Sequence, residues 1–162
     1  MSPIVVTPPA PIVTLAQAKR HLRVEHDDDN GYISDLVEVA TAWLDGPDGW
    51  LGRALGEQVL EIVFPAVLAP GDRVYPCPPF RAVESETPSA DGQSITVRYR
   101  AGYPETGTGS DARSTVPAPI RHAILLMVGH FYTNRLPVTP AGGMSELPLG
   151  VDALLSPYRG WG

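Results

Sequence analysis

The run Val116-Pro117-Ala118-Pro119-Ile120-Arg121-His122-Ala123-Ile124-Leu125-Leu126-Met127-Val128-Gly129-His130-Phe131-Tyr132-Thr133-Asn134-Arg135, followed by Glu146-Leu147-Pro148-Leu149-Gly150-Val151-Asp152-Ala153-Leu154-Leu155-Ser156-Pro157-Tyr158-Arg159, decides how this chain is built. Ile120, Ala123, Ile124, Met127, Val128 and Phe131 recur at helical spacing and form one apolar face. Leu125, Leu126, Gly129 and Tyr132 carry apolar character onto the far side. In a short chain one core covers one face, and a neighbouring subunit is an economical cover for the other. Leu125, Leu126 and Tyr132 are therefore the expected subunit-contact residues.

The second part of the stretch carries Val151, Leu154, Leu155 and Tyr158 as a helical stripe between Pro148 and Pro157, then Arg159, Gly160, Trp161 and Gly162. A helix of about eight residues is marginal alone, so this one must dock. Tyr158, Arg159 and Trp161 are residue types that dominate interface energy. Together with Leu154 and Leu155 they form the expected partner-docking set. The competing expectation is that Leu154 and Leu155 close the subunit's own core.

Working outward, residues 1–13 include Pro3, Pro8, Pro9 and Pro11 and read as an extended arm. Thr14 with Gln17 fits a capping box, and Leu15, Ala18 and Leu22 mark a helix from about Leu15 to Arg23. The acidic run Asp27-Asp28-Asp29-Asn30 precedes an amphipathic pattern of Ile33, Leu36, Val37, Ala40, Trp43 and Leu44. The acids are expected to cap that helix and favour its positive end. Its face of Ile33, Leu36, Val37, Ala40 and Leu44 is expected to pack on Ile124, Met127 and Phe131. Alternation from Gln58 to Phe64 and from Ile95 to Tyr99 predicts two strands within a β insertion spanning 57–100. Pro76-Cys77-Pro78-Pro79-Phe80 suits an edge or a rigid extended segment better than a central strand. The predicted fold is thus mainly α: a small helical bundle with an inserted small β-sheet or hairpin and extended N- and C-terminal arms, in one domain over 1–162.

Composition narrows the function classes. The 162 residues suit a single modest core, and 18 Pro and 16 Gly call for long loops. Twelve basic against 18 acidic residues give a formal charge of -6, which argues against gripping phosphate backbones through bulk electrostatics. Cys77 is the one cysteine, so no internal disulfide forms and a reducing cytoplasm fits. The N-terminus reads as neither a signal peptide nor a membrane anchor.

Chemistry-bearing patterns are few. Asp27, Asp29 and Glu38 stand at the first, third and twelfth positions of a calcium-loop length, but the sixth position, which needs Gly, is Tyr32. His21, His26, His122 and His130 are not spaced as a zinc pair on one helix face, and no metal or cofactor is expected. Cys77 lacks a local nucleophile signature, and no phosphate-binding glycine loop or nucleophile elbow is present. No catalytic residue is therefore assigned. Arg98-Tyr99-Arg100 and Tyr158-Arg159-Gly160-Trp161 pair basic with aromatic residues in a way that also suits nucleic acid.

Taken in order, these features resemble the head-tail connector (adaptor) family of long-tailed phages and of gene transfer agents. The resemblance runs through Thr14-Leu15-Ala16-Gln17-Ala18-Lys19-Arg20-His21-Leu22-Arg23-Val24, the acidic run, Gly52-Arg53-Ala54-Leu55 and Pro76 to Phe80 followed by Val83. It continues with Val97-Arg98-Tyr99-Arg100-Ala101-Gly102-Tyr103, a proline-started helix and the closing Leu147 to Arg159 segment. The stretch between Val83 and Ile95 is short for that family, as if a hairpin or loop were trimmed. The resemblance implies a non-enzymatic structural protein made in the bacterial cytoplasm and located at the head-tail junction of a virion or phage-like particle. There it forms a ring of about twelve copies beneath the portal protein, with a closed cyclic interface. Such a ring extends the channel, lets double-stranded DNA pass without specific binding, and presents a platform for stopper or tail-completion proteins; the C-terminal helix of 148–162 would dock on the portal side. Two further readings stand beside it: a sequence-nonspecific DNA-binding module using Arg98, Arg100, Arg113 and Arg159, and a small cytoplasmic hydrolase or thiol enzyme centred on Cys77.

Overall fold

A computed structural model describes residues 2–107, 113–135 and 149–159. Its elements run β1 (Ile4–Thr7), α1 (Leu15–Leu22), α2 (Asn30–Leu44), β2 (Gln58–Pro65), β3 (Phe80–Pro88), β4 (Ser94–Ala101), β5 (Glu105–Thr106), β6 (Arg113–Ser114), α3 (Ala118–Thr133) and α4 (Leu149–Leu155). Among the described residues no helix is long and apolar enough to cross a membrane.

The helices form where local chemistry directs them. Thr14 caps α1 with a complete capping box: its hydroxyl accepts from the Gln17 backbone and the Gln17 side chain accepts from its own. α2 and α3 bury the stripes Ile33, Val37, Ala40, Leu44 and Ile120, Ala123, Ile124, Met127, Val128 in one core, against which Leu36 and Phe131 lie half-buried. Trp43, counted in the same amphipathic pattern, is 42% exposed. It lies on Trp50, with the ring planes 13° apart.

The fold is not mainly α. Among the described residues 37% are helical and 27% lie in strands, and the strands include a four-stranded antiparallel sheet of order β1-β2-β4-β3. Two segments account for the difference. The N-terminal segment expected as a free arm pairs through Ile4–Thr7 with β2, so a backbone with no helix to join finds its hydrogen bonds at a sheet edge. The short stretch after Val83 is the second half of β3, turned tightly through Ser89 to Gln93 into β4. β3 starts directly after Pro79 and ends on Pro88, and it takes the sheet edge that prolines permit, with two register irregularities along it.

The sheet has its own core of Leu60, Ile62, Phe64, Val97, Tyr99 and Ala101 with Cys77. The join between helical and sheet cores rests on Asp45, just beyond α2. Its carboxylate accepts from the Leu55 backbone at 2.6 Å and from the buried Gln58 amide at 3.0 Å. Burial pushes the Asp45 carboxyl above its ordinary range, against the opposing hydrogen bonds from Leu55, Gln58 and Gly46. Gly102, with φ +103°, lets the chain leave β4 so close to Gly56 that a Cβ would collide with the Gly56 carbonyl.

Candidate functional site

The C-terminal segment is built into the subunit. α4 packs on α3, with Val151 and Leu155 fully buried in the helical core and Leu154 and Tyr158 half-buried against it. The Arg53 guanidinium donates to the Tyr158 carbonyl at 3.2 Å, and the Arg159 guanidinium lies 4.5 Å from the Trp50 ring centre. Trp161 lies outside the described residues. Leu154, Leu155, Tyr158 and Arg159 therefore come together, but Leu155 points into the core while the others border the surface.

Beside them the structure adds residues that sequence reasoning missed. Val39 is 55% exposed and sits one helical turn before Trp43 on the outer face of α2. Val39, Trp43, Trp50 and Arg159 thus make an aromatic and cationic patch next to the end of the chain. The signal was present: Val39 and Trp43 are four apart and off the Ile33–Val37–Ala40–Leu44 stripe. What the stripe could not tell is that, among the described residues, no other element covers that second ridge.

Of the expected subunit contacts, Leu125 and Leu126 are half-buried against the helical core. The Tyr132 hydroxyl donates to Asp29, which also pairs with Arg135 at 3.2 Å, and the Arg135 guanidinium lies 4.6 Å from the Tyr32 ring centre and 5.1 Å from that of Tyr132. This cluster pins the end of α3 to the start of α2. It also corrects the expected helix cap: Asp29 occupies the N-cap position but makes no side-chain cap bond, because its carboxylate is spent on Tyr132 and Arg135. Those partners, the Tyr132 hydrogen bond foremost, hold the Asp29 carboxyl below the ordinary range. Asp27 likewise accepts from Lys19 at 2.7 Å and from the Asn30 side chain at 3.1 Å.

The residues of the other readings are arranged differently. Arg98 pairs with Glu61 at 2.7 Å, and Arg100 lies 3.3 Å from Glu84 and 3.6 Å from Glu57, so the sheet arginines are locally neutralised. Arg113 is exposed in the two-residue β6. Cys77 is buried and its thiol is pushed up to about 11, chiefly by burial, which suppresses the thiolate needed for nucleophilic chemistry. Among the described residues, no three His, Cys, Asp or Glu side chains converge on a metal position. His21 and His122, unrelated by spacing, do meet across α1 and α3 with ring centres 5.9 Å apart.

No protein-family model and no curated protein matches the sequence. A search of solved structures finds similarity to a chain in the neck of an empty GTA particle, computed with C6 symmetry. The similarity spans 98% of this chain and 95% of that one, with a TM-score of 0.70 at 18% sequence identity. This chain is therefore built, end to end, on the same fold as that neck chain.

Proposed function

We propose that this protein is a structural head-tail adaptor located at the head-tail junction of a gene transfer agent or related phage-like particle. Its copies form a ring beneath the portal, extend the DNA channel and present the docking platform for stopper or tail proteins. The observation that carries this reading is the fold shared over nearly the whole of both chains with a component of a GTA neck. A match of that extent agrees with the order of motifs along the sequence. The ring of about twelve copies that the resemblance implies is compatible with a sixfold-symmetric neck.

Three features support the same reading. Leu125, Leu126 and Tyr132 keep part of their surface outside the subunit core, as a helix shared with a neighbouring copy requires. Arg159 lies over Trp50 of the Trp43–Trp50 pair, and Leu154 and Tyr158 are half-buried on the helical core, a set of anchors suited to the portal side. Net acidity repeated around a ring repels the DNA backbone and keeps it mobile in the lumen.

The test is co-expression with the portal protein of the same particle, followed by native mass measurement and electron microscopy. A cyclic assembly stacked on the portal is the expected result. Deletion of Ser156 to Gly162 is expected to abolish portal binding while leaving a folded chain. Unchanged portal binding by the truncation would refute the C-terminal docking, and a chain that never joins the portal would refute the adaptor reading itself.

A further inference from the structure

A groove of about 370 Å³ runs between α1 and the first turns of α3. Arg20 and His21 reach it from α1, Arg121 and His122 from α3, and Ala118 and Leu125 give it apolar surface. No carboxylate lines it, although the chain has 18 acidic residues to 12 Lys and Arg. Every salt bridge found among the described residues lies elsewhere, and the Arg121 Nε is buried without a hydrogen-bond partner. Two guanidinium groups lining one groove with no carboxylate beside them are complementary to an anion from outside the chain.

We propose that this groove is a docking site for an acidic segment of a partner protein. A carboxylate of that segment pairs with Arg20 and Arg121, and an adjacent apolar side chain lies over Ala118. The shape separates this from DNA. His21 is half-buried and the Arg121 Nε is enclosed, so these groups lie within a concave groove that a single side chain enters and a duplex backbone does not. The apolar surface beside the charges has a use for a peptide and none for phosphate. The proposal deepens the docking-platform reading by naming one contact point, but it is tested on the free chain.

The experiment follows the histidine-ring resonances of the full chain by NMR. It adds an acetylated, amidated Leu-Glu-Glu-Leu peptide, its Leu-Gln-Gln-Leu counterpart, or short duplex DNA. The Glu peptide is expected to shift the His21 and His122 rings saturably, the Gln peptide to leave them in place, and Arg20→Gln or Arg121→Gln to weaken the Glu peptide about tenfold. Arg20 is exposed, so its variant keeps the fold even if Arg121→Gln does not. Equal shifts from both peptides, no shift from either, or tighter binding of duplex DNA at the same rings would overturn the proposal. Peptide binding that persists when the chain fails to join a portal ring would support the groove while counting against the adaptor reading.

Discussion

Truncating Leu155 to Ala tests whether the last helix belongs to the subunit or waits for a partner. Leu155 is completely buried between α4 and the rest of the helical core. The change removes about three methylene equivalents at ~0.8 kcal/mol each, or roughly 2.4 kcal/mol of transfer free energy. A residual cavity of roughly 40 Å³ adds about 1 kcal/mol at ~24 cal/mol per Å³. The expected loss is therefore about 3 kcal/mol, a large share of the ~5–15 kcal/mol available to a domain. For a chain of this length that lowers the melting temperature by about 6–12 °C. Thermal and urea denaturation of the isolated protein, followed by far-UV circular dichroism, reads the effect directly. Leu154→Ala, at a half-buried position, is expected to cost about a third as much. If Leu155→Ala melts within ~1 °C of the parent while portal binding falls, α4 does not contribute its side chain to the free subunit's core and the packing argument fails.

Gly102→Ala introduces a side chain at φ +103° and drives it into the Gly56 carbonyl; a loss of more than about 2 kcal/mol is expected in urea melts, and a neutral result would mean that the β4 exit moves freely. Cys77 is expected to resist a thiol reagent at pH 8 in the folded protein and to react on unfolding, because burial holds its thiol up at about 11; rapid labelling of the native chain would contradict that environment. The carboxylates predict opposite pH effects. Asp29, held below its ordinary range, contributes stability that is present above that range and lost as pH falls through its lowered value, so Asp29→Asn should flatten the acid limb of a stability profile from about pH 4 downward. Asp45, raised by burial, contributes stability at low pH that is lost as pH rises through its elevated value, and Asp45→Asn should remove that decline; an unchanged profile in either variant would reject the assigned environment.

What the sequence determined by itself was whatever short-range chemistry specifies. The Thr14–Gln17 capping box, the helical stripes of α2 and α3 and the alternation in β2 and β4 are each written within a few consecutive residues, and each forms where its pattern lies. The order of those patterns also carried the resemblance to head-tail adaptors, and the fold agrees with a neck chain along nearly its full length. Only the tertiary structure decided where backbone hydrogen bonds find long-range partners. Ile4–Thr7 carries no local mark of the β2 edge it joins, and Pro76–Phe80, which reads as an edge or a rigid extended segment, does not say that the residues after it form β3 on the ladder that β4 supplies. Surface and core were divided in the same way. Trp43 and Leu155 are both large and apolar at helical spacing, yet one lies on the outside against Trp50 and the other is sealed under α3, because periodicity names a face but not what covers it. Asp29 and the His21–Arg121 groove complete the contrast: residues from the two ends of the chain meet there, and a charge's partner is set by distance in space, which spacing along the sequence does not encode.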